Sequence, residues 1–427
     1  MRNLSPDLTR AKSVASRSRR LQQRRVFDGG IVDKEKSIME KAQLFWQTYL
    51  NLEKEVLEVA KYIYITDEIT TYSKGALVAS HCKTQLETFS PHIADLLIRT
   101  CVEIEAISKE LYHKFGGIKA RGSKDLFFDE DCLKLIDIKC KTHNKVVLVS
   151  CPAFNLTKEE NLCFKPLREA HKRQGTDWGK AYQALKHDRY SSLSQGTIKK
   201  LLHAMGALFL LNIYFKNVKL TAKYLEVSRL DYSLGSLIFS VKQPSCDYVI
   251  KIINNEDVAD ILQADESPFV VKYTDSCYKE ILDVNRKMLR EMKDYWQSQP
   301  ELKEPEFIQQ IMQAKEREAK DPRQRFIPLW ELSQYRLRKK IPASLPFEER
   351  KRLLISSPEW NGRIRQQNPH LDGDGITEEN IQVEIDHAGL LAGIELQQRF
   401  ENLKMHKAFN EGYCELVLDT GNVRYNK

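Results

Sequence analysis

Residues 177–215 read DWGKAYQALKHDRYSSLSQGTIKKLLHAMGALFLLNIYF. The first part predicts a polar helix that carries Trp178 and Tyr182 and ends in four ionisable side chains in a row, Lys186, His187, Asp188 and Arg189. Ser and Gly residues then break the chain. The second part predicts an apolar helix with Ile198, Leu201, Leu202, Met205, Leu208, Phe209, Asn212 and Phe215 at core-facing spacing. Its apolar run, Ala204 to Phe215, is too short to span a bilayer and reads as the buried centre of a helical domain. The corner where a polar helix yields to a buried one is the feature of this chain most like a prepared polar site.

Upstream, Ser90-Pro91 supplies an N-cap and a first-turn proline, and Phe115-Gly116-Gly117 supplies a stop. The helix between them places Ile93, Leu97, Cys101, Ile104, Ile107 and Leu111 on one stripe, with Glu103 at its border and Glu105 further round. Another helical segment is expected over Asp67 to Phe89. Farther upstream, Ile38, Ala42, Phe45, Tyr49, Leu52, Val56, Val59 and Ile63 recur in steps of four and three. That seam fits either a homodimer through Ile38–Ile63 or a helix packed within its own domain.

Residues 118–176 look irregular, with one probable strand at Val146–Val149. After Asn217 short apolar runs at Leu237–Val241, Tyr248–Ile253 and Phe269–Tyr273 predict strands of a small sheet. From Asp275 the chain is charged and proline-punctuated, with helices expected at 275–297, 305–319, 346–356 and 388–409. A terminal strand pair, Glu415–Leu418 with Val423–Tyr425, closes it. The expected fold is α+β and predominantly helical: a basic tail over 1–33, disordered, a helical bundle-like domain over 34–217, a small strand-containing segment over 218–274 and a charged helical region over 275–427.

The formal charge of +8 is not spread over this fold. The first 25 residues hold eight basic side chains against one acid, Asp7, a net +7 that leaves +1 for the rest. A body-wide basic surface for nucleic acid is thereby excluded. The tail itself reads as a transit peptide, as a basic arm, or as sequence ahead of a true start at Met39. Nine cysteines without a C-x-x-C pair point to reduced structural thiols in a cytoplasmic protein. No membrane span, cofactor site or metal site is expected.

Motif by motif, most chemistry drops out. LDGDGITEEN, Leu371–Asn380, lacks the carboxylates a calcium loop needs at both ends. Asp137-Ile138-Lys139 has nuclease D-x-K spacing without the strand that would present it. Arg363 and Arg365 ahead of His370, and Arg399 ahead of His406, match a short Arg-to-His spacing about as often as chance provides. P-loop, dinucleotide, H-E-x-x-H and G-x-S-x-G patterns are absent from the sequence.

The K-H-D-R corner supports two readings. In one, Glu103 and Glu105 pair with Lys186 or Arg189 and hold two helices in register. In the other, His187 is a general acid or base, Lys186 and Arg189 hold phosphate, and Asp188 or Glu103 orients the imidazole.

The order Leu96-Leu97, Cys101, Glu103-Ile104-Glu105, Trp178, Tyr182, Lys186-His187-Asp188-Arg189 resembles a family of uncharacterised bacterial proteins. It is also similar to the HEPN superfamily of helical RNases and nucleotide-transfer-associated proteins. The likeness covers about a third of the chain. It implies binding or metal-free cleavage of RNA, in prokaryotic defence or toxin–antitoxin systems, with His187, Arg189 and Lys186 as catalytic candidates. Glu103, Glu105, Asp188, Trp178 and Tyr182 would support them. The arginine that the superfamily places ahead of its histidine has no counterpart here: Gly179, Lys180, Ala181 and Tyr182 stand there, and Arg189 follows the histidine. The alternative is a non-catalytic scaffold or adaptor dimerising through the helical seam.

Overall fold

The computed structural model describes residues 39–68, 84–118, 126–244, 266–323, 325–360, 375–401 and 403–420. The basic tail, most of the 67–89 segment, the runs at 248–253 and 423–425 and the start of the LDGDG turn lie outside them. The fold is predominantly helical α+β. It divides into two units. The first takes the described residues of Met1–Ala222, Glu226–Lys272 and Cys414–Lys427, and the second those of Lys223–Leu225 and Tyr273–Tyr413.

In the first unit, helix α1 (residues 39–59) turns its seam inward. Tyr49, Leu52, Val56 and Val59 are buried within the chain itself. One turn along from Tyr49, the buried Glu53 carboxylate accepts from the Tyr49 hydroxyl at 2.8 Å and from the backbone N–H groups of Leu237 and Ile238, each at 3.1 Å. Those partners are what make a buried charge tolerable.

Helix α2 (Pro91–Lys114) begins as its sequence dictates: the Ser90 hydroxyl accepts from the Ile93 amide at 3.2 Å. Gly116, at φ +84°, turns the chain out of the helix. Helix α3 (Lys134–Cys140) falls within the stretch expected to be irregular, being too short for a periodic signal. Strand β1 (Val147–Val149), the four-residue helix α4 (Glu159–Leu162) and strand β2 (Cys163–Phe164) follow.

Helix α5 (Asp177–His187) starts at Thr176, whose hydroxyl accepts from the Gly179 amide at 3.1 Å. Helix α6 (Ile198–Lys216) starts at Thr197 and ends at Asn217, which takes the left-handed conformation. Every residue from Ala204 to Phe215 is buried. Among the described residues α6 is the one helix long and apolar enough to cross a membrane, and 83% of that window is buried in the protein. Its all-round apolarity is accounted for by α2, α5 and the first sheet packing around it.

Strands β3 (Leu220–Lys223), β4 (Phe239–Val241), β5 (Phe269–Tyr273) and β6 (Tyr413–Leu418) complete two three-stranded sheets, in the orders β2-β1-β4 and β3-β6-β5. In the first sheet Val147 faces Phe164 on one side and Val241 on the other, both antiparallel. Gly206 of α6 lets this sheet come close, since a Cβ there would lie 2.9 Å from the Phe164 ring. The expected separate 218–274 segment is thus shared out. Strands this short are stable only when paired and covered, so β4 joins strands from before α5, and β6 returns from the chain's end. Buried Lys145 donates to Asp419, just beyond β6, at 2.8 Å.

The second unit contains helices Asp275–Gln297, Pro305–Lys320, Pro328–Lys340, Phe347–Ser356, Ile381–Phe400 and Leu403–Asn410. Pro328, expected as a break, instead occupies the first turn of a helix. The helix expected over 388–409 begins earlier, at Ile381, and is replaced by two helices, Ile381–Phe400 and Leu403–Asn410.

Candidate functional site

Helix α5 buries Trp178, Ala181, Tyr182 and Leu185 on one face. The Trp178 indole donates to the Pro166 carbonyl at 3.1 Å. Tyr182 reaches α2, where it lies within the field of the Glu105 carboxylate. Burial first, and then the Glu105 charge, raises its pKa well above the usual tyrosine range. Lys186 lies with its ammonium 5.4 Å from the centroid of the Tyr182 ring, a cation–π contact. Helices α2 and α5 thus meet through Tyr182, while the His187 imidazole stays outside that contact.

The pairings differ from those expected. Glu103 and Glu105 are two residues apart, so their side chains leave α2 about 200° apart. Only Glu105 faces α5. Glu103 shares its face with Arg99 and Glu110, which pair with Glu55 and Lys41 of α1. No hydrogen bond or ion pair holds Glu103 among the described residues, and partial burial raises its carboxyl pKa. Arg189 lies 3.8 Å from Asp95 of α2, both partly exposed.

Asp188 does not orient the imidazole. Its carboxylate accepts from the Ser191 amide at 3.1 Å and the Ser191 hydroxyl at 2.7 Å, and these bonds hold its pKa below the usual range. His187 is exposed and has no side-chain partner among the described residues. Three residues on, Tyr190 is 95% exposed. The corner thus gathers an exposed ring with three exposed cationic or titratable side chains, Lys186, His187 and Arg189.

A second cluster lies beyond the N-terminal end of α5. Lys141, at φ +50°, reverses the chain after α3 and brings His143 back onto Asp137. The Asp137 carboxylate accepts from the His143 amide at 2.8 Å, from its Nδ1–H at 2.8 Å and from the Thr142 hydroxyl at 3.0 Å. His171 Nδ1 stands 3.8 Å from the other Asp137 oxygen, buried and without a hydrogen-bond partner. Asp137, His143, His171, Lys165, Arg168 and Glu169 line one open depression.

Lys165 and Arg168 also line an adjoining depression with Thr176, Asp177, Lys180 and His203. His203 is stacked on Phe164 at 4.3 Å; burial, then the Lys199 charge, lowers its pKa to about 4. Among the described residues no group of three His, Cys, Asp or Glu side chains is placed to hold a metal ion. The described cysteines are free thiols.

Comparison with known proteins gives no match: no family model matches the sequence, and no curated protein or solved structure is similar to the chain.

Proposed function

We propose that this chain is an RNA-binding protein, HEPN-like in its helical domain, that works in the cytoplasm and grips single-stranded RNA at the K-H-D-R corner. The observation that carries this reading is Tyr190, 95% exposed and preceded in sequence by exposed Lys186, His187 and Arg189. A bare aromatic ring offers a stacking face for a base of any identity, worth about 1–3 kcal/mol. The adjacent cations neutralise phosphates and make binding salt-dependent. Arg189 is free to turn to a phosphate, because an exposed ion pair such as that with Asp95 holds it by at most about 1 kcal/mol.

His187 lacks the orienting carboxylate that an acid–base catalyst uses, so the corner is read as a contact surface rather than a cleavage site. The superfamily resemblance supports RNA as the ligand and prokaryotic defence as the setting. Free thiols among the described residues support a reducing compartment.

Fluorescence anisotropy with a labelled single-stranded RNA tests the reading on the full chain. Tyr190→Ala should weaken binding about tenfold, the lower end of the stacking range. Arg189→Gln should flatten the salt dependence by about 0.7 in the log–log slope. Absence of RNA binding by the wild type, or equal affinities for wild type and Tyr190→Ala, would overturn it.

A further inference from the structure

We infer that the second unit is an insert standing where a hairpin turn would otherwise join β5 to β6, and that β6 is a strap that closes the first unit and opens with it. The inference does not depend on what the corner binds. It starts from two hydrogen bonds. The Thr274 amide donates to the Tyr413 carbonyl at 2.9 Å, and the Asp419 amide donates to the Pro268 carbonyl at 2.9 Å. Between these bonds the two strands run the same number of residues in opposite directions, so β5 and β6 are an antiparallel pair.

A short turn is the usual link between antiparallel neighbours. Here the link is residues 275–412, which hold the helices of the second unit. Those helices have cores of their own. Leu354, Trp360 and Ile385 are buried in one cluster, and Phe307, Leu332 and Tyr335 in another. A segment with its own core, entered and left at adjacent points, has what an inserted domain needs.

Strand β6 begins only two residues after the helix Leu403–Asn410, yet its partners lie elsewhere. It is the middle strand of β3-β6-β5. Its alternate residues Cys414, Leu416 and Leu418 are buried. On the other face Glu415 pairs with Lys219, next to β3, at 2.8 Å and with Lys272 of β5 at 3.5 Å. Just past the strand, buried Asp419 accepts from the ammonium of Lys145, which is 0% exposed, at 2.8 Å. Removing one partner of a buried ion pair is strongly destabilising. Asp419 is therefore the latch of the strap, tying the end of β6 to the residue pair ahead of β1.

Sequence proximity and packing give opposite expectations for this strand. By proximity β6 opens with Leu403–Asn410; by packing it opens with the first unit, as one cooperative block.

Pulsed hydrogen exchange on the full-length protein, over a series of urea concentrations and read by peptide mass spectrometry, separates the two. Gly393→Ala places a Cβ 2.6 Å from the Trp330 Cα inside the second unit. It should lower the urea midpoint of peptides from 328–340 and 381–400 and leave that of 413–418 at the wild-type value. Asp419→Asn should do the reverse. Peptides from 413–418, 269–273 and 198–216 should lose protection together, at a midpoint lower by about 1 M, with 381–400 unmoved. Should Asp419→Asn not fold, the Gly393→Ala pattern decides alone. A 413–418 peptide that follows 381–400 in Gly393→Ala, or a single transition moved in all peptides by either variant, would overturn the inference.

Discussion

Glu103 and Glu105 are separated by a single residue, yet they serve different neighbours, and that difference governs what the K-H-D-R corner is able to do. Glu105 meets Tyr182 and anchors the corner. Glu103 faces the α1 side of α2 and has no partner among the described residues, so it neither pairs with Arg189 nor orients His187 there. The residue types at the corner were legible in the sequence; their partners were not, because a helical phase places a side chain on a face without saying which helix covers it. The Asp137–His143 pair was harder still to read. It forms only because Lys141, a residue with no special turn propensity, adopts a left-handed conformation.

Asp67 gives a residue-scale prediction on stability. Burial alone would raise its pKa, but hydrogen bonds from Asn161, the Lys158 and Thr157 amides and the Thr157 hydroxyl outweigh it and lower it from 3.8 to about 2. A folded-state pKa below the unfolded one means the carboxylate stabilises the protein above about pH 4. That stabilisation is lost as pH falls through about 2, and it amounts to about 2 kcal/mol. In urea unfolding at a series of pH values, the gap between wild type and Asp67→Asn should shrink by about that amount between pH 6 and pH 2. A gap that stays constant would contradict it.

Elements with their own punctuation were readable before any coordinates. Ser90-Pro91 and Gly116-Gly117 bracket α2, and Asp275–Gln297 matches the helix expected over 275–297. The helix Pro328–Lys340 was lost because its proline was read as a stop, although proline is as much at home in a first turn. The N-terminal half of Ile381–Phe400 was missed for a related reason. Its buried face mixes Ile381 and Ile385 with the small residues Ala388, Gly389 and Gly393, which leaves no clean apolar stripe.

The contact of Ile381–Phe400 with Pro328–Lys340 makes a testable element-scale claim. A Cβ on Gly389 would lie 2.7 Å from the Gln334 Cα, and one on Gly393 would lie 2.6 Å from the Trp330 Cα. Backbone is not able to yield as a flexible side chain does. Gly393→Ala should therefore cost about 1–3 kcal/mol despite alanine's better helix propensity. Equilibrium urea unfolding measures this, and a variant as stable as the wild type would show that the two helices do not cross so closely.

At the scale of the whole molecule, charge and core divide the work. Most of the net charge sits in the first 25 residues, so recognition within the folded part depends on local clusters rather than a basic surface. The first unit carries both clusters on or beside α5, which is fixed by Trp178 and Tyr182 against the rest of the helical core. The second unit offers helices bound by ion pairs such as Arg336 with Glu301 at 2.7 Å and has no part in the proposed RNA contacts. Photo-crosslinking of single-stranded RNA to the full chain, followed by peptide mass spectrometry, tests this division most directly. The account predicts a dominant crosslink on the peptide containing Tyr190; crosslinks confined to residues 273–413, or none anywhere, would contradict it.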